Sequence, residues 1–384
     1  MLLKILFIAA LILAINSCGN NIYDSKKVSS TGKYDSLEKV VIVKTSIKDS
    51  LITLIATGDI MPGSNYPYSS SLPPDDGKHL FDSVKEILRS ADVTFGNLEG
   101  TLLNSGGTPK KCLTPDNCVS FRIPEAYAGL LEEAGFDVVS VANNHSNDMN
   151  EEGTESTKRT LEQYGINYAG YTDSPFSLFE KNGVRYGFAA FAPNNGTVSL
   201  NDIPNAVKIV TELKKNSDIV IVSFHGGAEG YSAQRVTRER EFYLEEDRGN
   251  VYEFAHAVID AGADVVFGHG PHVPRAVELY NNKIIAYSLG NFCTYAKFSL
   301  SGSQGVAPLL KVYLNKNGGF VKGKLYSFRQ INRGVPVADE ELNALYIIKE
   351  LSKKDFPESL LSINDNGTIE RTKTNISTDD EKTN

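Results

Sequence analysis

Tryptophan is missing from this chain, methionine occurs 3 times, and only 4 cysteines are spread over 384 residues. So little cysteine excludes a disulfide-stapled miniature scaffold, and a chain of this length does not need one to bury a core. Clustered positive charge is also missing. No basic run exceeds two or three residues, and 39 Lys+Arg against 47 Asp+Glu leave a formal net charge of -8. A surface that tracks phosphates needs such clustering, so nucleic acid is excluded as a partner. The only marked apolar run at the start, Ile5 to Ile15, is well short of the about 20 residues of a spanning helix. A hydrophobic fraction of 41% without any internal repeat is ordinary for a globular protein.

That early run, preceded by Met1-Leu2-Leu3-Lys4, reads as a secretory leader. The following Ile15-Asn16-Ser17-Cys18-Gly19 resembles a bacterial lipoprotein processing site, which predicts cleavage before Cys18 and its acylation. Several acyl chains on one residue anchor stably where a single chain does not. The expected order is a signal peptide at 1–17, a polar tether at 18–49, a folded domain at 50–362 and a disordered Asn/Asp/Thr/Lys-rich tail at 363–384. The expected location is extracytoplasmic, on a bacterial membrane. Disulfides are possible there, and Cys112 and Cys118 bracket a short turn-rich segment, so they are expected to be bridged. Cys293 is left as a small buried apolar residue.

Within the domain, short apolar runs alternate with amphipathic ones, the pattern of strands interleaved with helices. Strands are predicted at Leu51 to Thr57, Asp92 to Phe95, Asp137 to Val141, Gly187 to Phe191, Ile219 to Phe224, Asp264 to Phe267 and Lys283 to Tyr287. Helices are predicted at about Leu80 to Arg89, Glu125 to Ala134, Glu152 to Tyr164, Ala206 to Lys214 and Val251 to Ala261. Gly135, Gly165 and Gly262 stand where left-handed caps are wanted. Later segments, Val277 to Tyr280, Leu309 to Tyr313 and Val321 to Arg329, alternate more strictly and predict antiparallel strands in a second sheet layer, with a last helix at Asp339 to Ser352 packing outside.

Chemistry concentrates where the apolar runs end. Gly268-His269-Gly270-Pro271-His272 follows Ala263 to Phe267 and places two imidazoles at a strand's C-terminal edge, where open α/β sheets hold ligands. Gly58-Asp59, Asn97-Leu98-Glu99, Asn143-Asn144-His145 and His225-Gly226-Gly227 end other runs in the same way. Mixed nitrogen and oxygen donors of this kind suit Zn, Mn or Fe better than Ca or Mg. By contrast His79 and His256 read as structural. Arg235, Arg238, Arg240 and Arg248 lie in a charged insertion from Glu229 to Arg248 that reads as a solvated face, the alternative being arginines that close over the site and hold an anion.

These blocks, with Gly58-Asp59-Ile60-Met61, Asn97-Leu98-Glu99-Gly100, Ala142 to His145, Gly268 to Val273 and Ser288-Leu289-Gly290-Asn291-Phe292 in order, resemble the CapA family of poly-γ-glutamate capsule biosynthesis proteins. That family looks like a branch of the calcineurin-like metallophosphoesterases, and the resemblance implies an α/β, four-layer α/β/β/α sandwich with mixed sheets. It also implies one or two divalent ions. Asp59 and His272 would hold the first, Asn144, His225 and His269 the second, and Glu99 would replace a bridging Asp. His145 would serve as general acid near the leaving group. Asn97, Asn143, Asp148, Arg275 and Asn291 are expected around the ligands or the substrate. Where the superfamily has a His two residues after its first Asp, this chain has Met61, a poor ligand for hard divalent metals.

The resulting expectation is a lipid-anchored, metal-dependent hydrolase that acts on or helps assemble an anionic polymer, with a phosphoester as the other substrate class and polymer-synthesis machinery as a further partner. The rival expectation keeps the fold and discards catalysis, leaving an accessory protein that binds or exports the polymer.

Overall fold

The computed structural model describes residues 51–111 and 118–372. The chain divides into 1–46, outside the described residues, and 47–384, which carries everything that follows. The expected leader, tether and acylated Cys18 therefore lie outside the described residues, as does Cys112, while Cys118 is disulfide-bonded.

Along Ile52–Met61, Leu54 and Ala56 enter one apolar cluster and Ile55 enters another. Ile219–His225 alternates likewise, with Ile219 and Ile221 on one side and Val220 and Val222 on the other, and so does Val265–His269. Strands that are apolar on both faces must be covered on both. One cluster accordingly lies between two sheets and includes Leu54, Phe95, Phe188, Ile221, Phe267 and Leu310. A second joins the outer face of the larger sheet to Leu131 and Leu161, and a third joins the smaller sheet to Val210, Leu213 and Phe254. The layer order is α/β/β/α, as the family resemblance implies. Phe95 ties the sheets together: its ring lies 5.6 Å from that of Phe188 and 5.4 Å from that of Phe267.

The larger sheet has nine strands. At its centre Ile52–Met61 pairs in parallel with Val93–Leu98, followed by Val138–Ser140 and Asn167–Ala169. On its other side run the antiparallel Leu309–Leu314 and Phe320–Tyr326, and Asn291–Thr294 joins the end of Ile52–Met61 in parallel. The smaller sheet has a parallel centre of Val184–Phe191, Ile219–His225, Val265–His269 and Lys283–Ala286, flanked by the antiparallel Phe176–Lys181 and Val277–Tyr280.

Several expectations need correction. The antiparallel strands do not make a layer of their own but flank a parallel centre in each sheet, because the chain finishes four parallel strands, crosses to the smaller sheet and returns to cover the free side of Ile52–Met61. Of the helix predicted at Leu80 to Arg89 only Lys85–Leu88 is α-helical; Val84 departs from helical geometry at φ -123° and ψ -21°, while Leu80, Phe81 and Val84 are buried from turns. The polar tail begins later than residue 363. Leu361–Ile363 and Thr368–Arg371 form a hairpin that pairs with Phe320–Tyr326 and buries Ile369, so a short apolar pair outweighs the polar composition around it. The last helix, Asn343–Asp355, is also less peripheral than expected, since Leu345 and Ile348 join the inter-sheet cluster.

Candidate metal centre

Parallel pairing aligns the polar strand ends. Asp59 stands in register with Asn97 on one side and Asn291 on the other, and in the second sheet His269 stands beside His225. Because the sheets face each other, two rows of donors meet at one edge of the sandwich. Gly58 permits this closeness: a Cβ there would lie 2.1 Å from the carbonyl oxygen of Gly290, which itself accepts the Asp59 N–H at 2.8 Å.

Asp59 is fully buried and central. Its Oδ1 lies 3.1 Å from His269 Nδ1 and accepts the Asn97 amide at 2.9 Å, while Oδ2 lies 3.0 Å from His272 Nδ1. Burial alone would raise this carboxyl, but the hydrogen bonds and charge of His269 and His272 outweigh it and hold the group well below the usual carboxylate range. His272 Nδ1 also lies 3.2 Å from Asn291 Oδ1, and its Nε2 lies 3.7 Å from Glu99 Oε1 and 3.9 Å from Glu229 Oε2. Burial lowers this imidazole, yet the carboxylates of Glu99, Asp59 and Glu229 push it up to about 10. Its backbone is left-handed at φ +57°, a conformation that costs a non-glycine residue about 1–3 kcal/mol.

Asn97 reaches within 3.5 Å of His225 Nδ1, and its Oδ1 accepts the Asn143 amide at 3.1 Å. His145 carries a second arrangement. Its Nδ1 lies 2.7 Å from Asp148 Oδ2, Asp148 Oδ1 pairs with Lys110 Nζ at 2.7 Å, and Nε2 faces Glu99 Oε1 at 3.9 Å. The ring of Phe121 stacks on His145 at 4.1 Å, and Phe298 stands edge-on to His272 at 5.1 Å. Burial lowers the His145 imidazole below its ordinary value, so it is disposed to stay neutral.

A test of fit for a cation comes from polar atoms that have no protein partner. Both carboxylate oxygens of Glu99, Nε2 of His225 and of His269, and Oδ1 of Asn144 are buried without a hydrogen-bond partner among the described residues. Unpaired buried polar atoms are costly and call for a partner. Asp59, Glu99 and His272 each offer a ligand atom within 4.8 Å of the others. The residues present therefore fit a divalent cation bound by mixed oxygen and nitrogen donors.

The structure thus brings together Asp59, Asn97, Glu99, Asn143, His145, Asp148, His269, His272 and Asn291, with His225 joined through Asn97. Asn144 lines the same cleft, a space of about 1350 Å³ that also borders His145, His272 and Glu229. Arg275 stands apart, bidentate to Glu241 at 2.8 and 2.7 Å, which ties the insertion to the segment after His272. The reading of the insertion's arginines as a solvated face fails at Arg248, which is 1% exposed, whereas Arg240 pairs with Asp247 near solvent. Sequence reasoning missed Glu229, Lys110, Phe121 and Phe298. Glu229 had a signal, a carboxylate just past the Gly226-Gly227 turn; the other three come from irregular segments without one.

Fold and site together define an α/β/β/α sandwich with a buried donor cluster at the joint edge of its two sheets. Residues 53–296 match the family described as bacterial capsule synthesis protein PGA_cap, and the chain belongs to that family. It is 28% identical over 329 residues to the PGA biosynthesis protein CapA of Bacillus subtilis (strain 168), covering 81% of this chain and 80% of that one. It is 29% identical over 274 residues to the capsule biosynthesis protein CapA of Bacillus anthracis, covering 66% of this chain and 62% of that protein's length. Among solved structures, the calcineurin-like phosphoesterase YfkN of Bacillus subtilis aligns over 81% of this chain and 99% of its own at 10% identity and a TM-score of 0.43. A hypothetical protein from Thermus thermophilus aligns over 73% of this chain and 100% of its own at 18% identity and a TM-score of 0.45.

Proposed function

We propose that this protein is a metal-dependent hydrolase of capsule or polyglutamate biosynthesis, acting on an extracytoplasmic anionic polymer or on a phosphoester linked to its assembly. The observation that carries this reading is the set of buried, unpartnered donor atoms of Glu99, His225, His269 and Asn144, together with the ligand atoms of Asp59, Glu99 and His272 that lie within 4.8 Å of one another. Asp59 and His272 would hold a first ion, with Glu99 at its edge, and Asn144, His225 and His269 a second; the donor types suit Mn, Zn or Fe. Such ions polarise the scissile group and lower the pKa of bound water.

The protein's own part begins with a buried, hydrogen-bonded frame. Asn97 and Asn143 lock Asp59 through consecutive amide hydrogen bonds, and Asn291 orients the His272 ring. Asp148 holds Nδ1 of His145 at 2.7 Å, leaving Nε2 facing the cleft, and once the ring has taken up a proton there it can give it to a leaving group. Lys110 secures Asp148 at 2.7 Å.

Metal content of the purified protein, and hydrolysis of an aryl phosphate and of γ-glutamyl peptides, test the reading, with Asp59→Ala and His269→Ala as controls. Absence of bound metal, or activity that survives both changes, ends it. The second reading, a polymer-binding or export accessory protein, is favoured by one observation: Met61 is fully buried at the position where a metal-ligating His would stand. Metal retained without hydrolysis of either substrate would support it. The leader and Cys18 support anchoring to a bacterial membrane by lipid, which Cys18→Ala tests by release of the protein into the soluble fraction.

A further inference from the structure

Arg248 lines the cleft, and its environment is unusual for an arginine. The side chain is 1% exposed and lines the cleft beside Asn201, Glu229 and Tyr243. Nη1 is held by Glu229 at 2.8 Å, with Glu246 at 3.9 Å. Nε and Nη2 are buried with no hydrogen-bond partner among the described residues. Those two nitrogens form one side of the guanidinium, where two N–H bonds run parallel and match the oxygen pair of a carboxylate or phosphate. Arg185 shows the same side filled in this protein: its Nε and Nη2 donate to the two oxygens of Asp218 at 3.2 and 2.8 Å. The other buried arginine, Arg275, has both terminal nitrogens engaged by Glu241.

Position adds to chemistry. Arg248 accepts through its backbone carbonyl the N–H of Gly227, two residues after His225, and its charge bears on the His225 imidazole. Arg248 thus stands beside the turn that follows His225. Among the lysines of the cleft, Lys110 is paired with Asp148, Lys111 is exposed, and Lys297 is half-buried.

We propose that Arg248 is the anion anchor of the cleft: its Nε–H and Nη2–H take two oxygens of a substrate carboxylate or phosphate in bidentate fashion, while Glu229 fixes the other end of the guanidinium. This rests on the reading of the cleft as a substrate site and names the group it recognises. The test is calorimetric titration of the full chain with inorganic phosphate and, separately, with a γ-glutamyl dipeptide, alongside metal analysis and circular dichroism. Wild type is expected to bind at least one probe, and the preferred probe distinguishes a phosphoester from a polymer carboxylate as the source of the anion. Arg248→Gln should weaken that binding roughly tenfold or more with metal content unchanged. Arg248→Lys, which keeps the charge and guards against a folding artefact, should weaken it too because an ammonium lacks the fork. Failure of wild type to bind either probe overturns the proposal, as does affinity within about twofold of wild type in a folded Arg248 variant. Loss of metal from wild type would instead strike the metal reading, and titration of the metal-free chain would still decide for or against Arg248.

Discussion

Replacing Glu99 with Gln should move the metal-free and metal-loaded proteins in opposite directions. Glu99 is fully buried, neither carboxylate oxygen has a hydrogen-bond partner among the described residues, and burial, ahead of the opposing pull of His272, pushes its pKa well above the ordinary 4.5. An unsatisfied buried polar group costs about 1–3 kcal/mol, more when charged. Gln keeps the shape and discards the ionisable proton, so metal-free Glu99→Gln should be about 1–2 kcal/mol more stable than wild type, a rise of about 2–4 °C in Tm for a domain of this size. The pH dependence has a definite sign. A carboxyl whose folded pKa is raised contributes stability below its unfolded pKa and loses it as pH rises toward the folded value. The metal-free wild type should therefore fall behind the variant progressively as pH rises above the ordinary 4.5. With a cation present the order reverses: ion at a hundredfold excess over its Kd stabilises wild type by about 2.7 kcal/mol, a gain the variant should largely lose. Thermal melts with and without Mn2+ across that rise in pH measure all of this. A variant no more stable than wild type when metal-free, or equally stabilised by Mn2+, would refute the reasoning.

Asp148→Asn should leave metal content intact while lowering kcat about tenfold to a hundredfold, because His145 loses the carboxylate that orients it at 2.7 Å; steady-state kinetics on the aryl phosphate check this. Phe95→Ala should cost about 3–5 kcal/mol by chemical denaturation, since the ring is 1% exposed and packs against Phe188 and Phe267. Cys293 is fully buried and burial pushes its thiol far up, so a thiol reagent should label it only in denaturant.

Much of the candidate site was legible because its polar residues sit at the ends of apolar runs. Asp59, His225 and His269 each follow several buried residues, and a polar group there has few structural reasons to exist. Their convergence followed from parallel pairing, which the βα alternation implied. What stayed hidden has no local period. Phe176–Lys181 is an edge strand with Phe176 and Leu178 exposed, so its apolar residues report no buried face. Arg248 resembles its solvated neighbours in sequence, and only the return of the Glu241–Tyr243 and Glu246–Gly249 hairpin against the Gly226-Gly227 turn buries it. Phe121 and Phe298 acquire roles through rings brought from distant loops, which composition cannot foretell.

The ring of Phe95 that holds the two sheets together lies also 5.6 Å from the His269 imidazole. Half the donor cluster rides on one sheet and half on the other, so the gap that a cation must fit is set by the thickness of the hydrophobic seam beneath it. For the proposed cation, trimming or enlarging that seam would shift selectivity before the chain unfolds, which makes residues far from any substrate the calibrating screws of the candidate site.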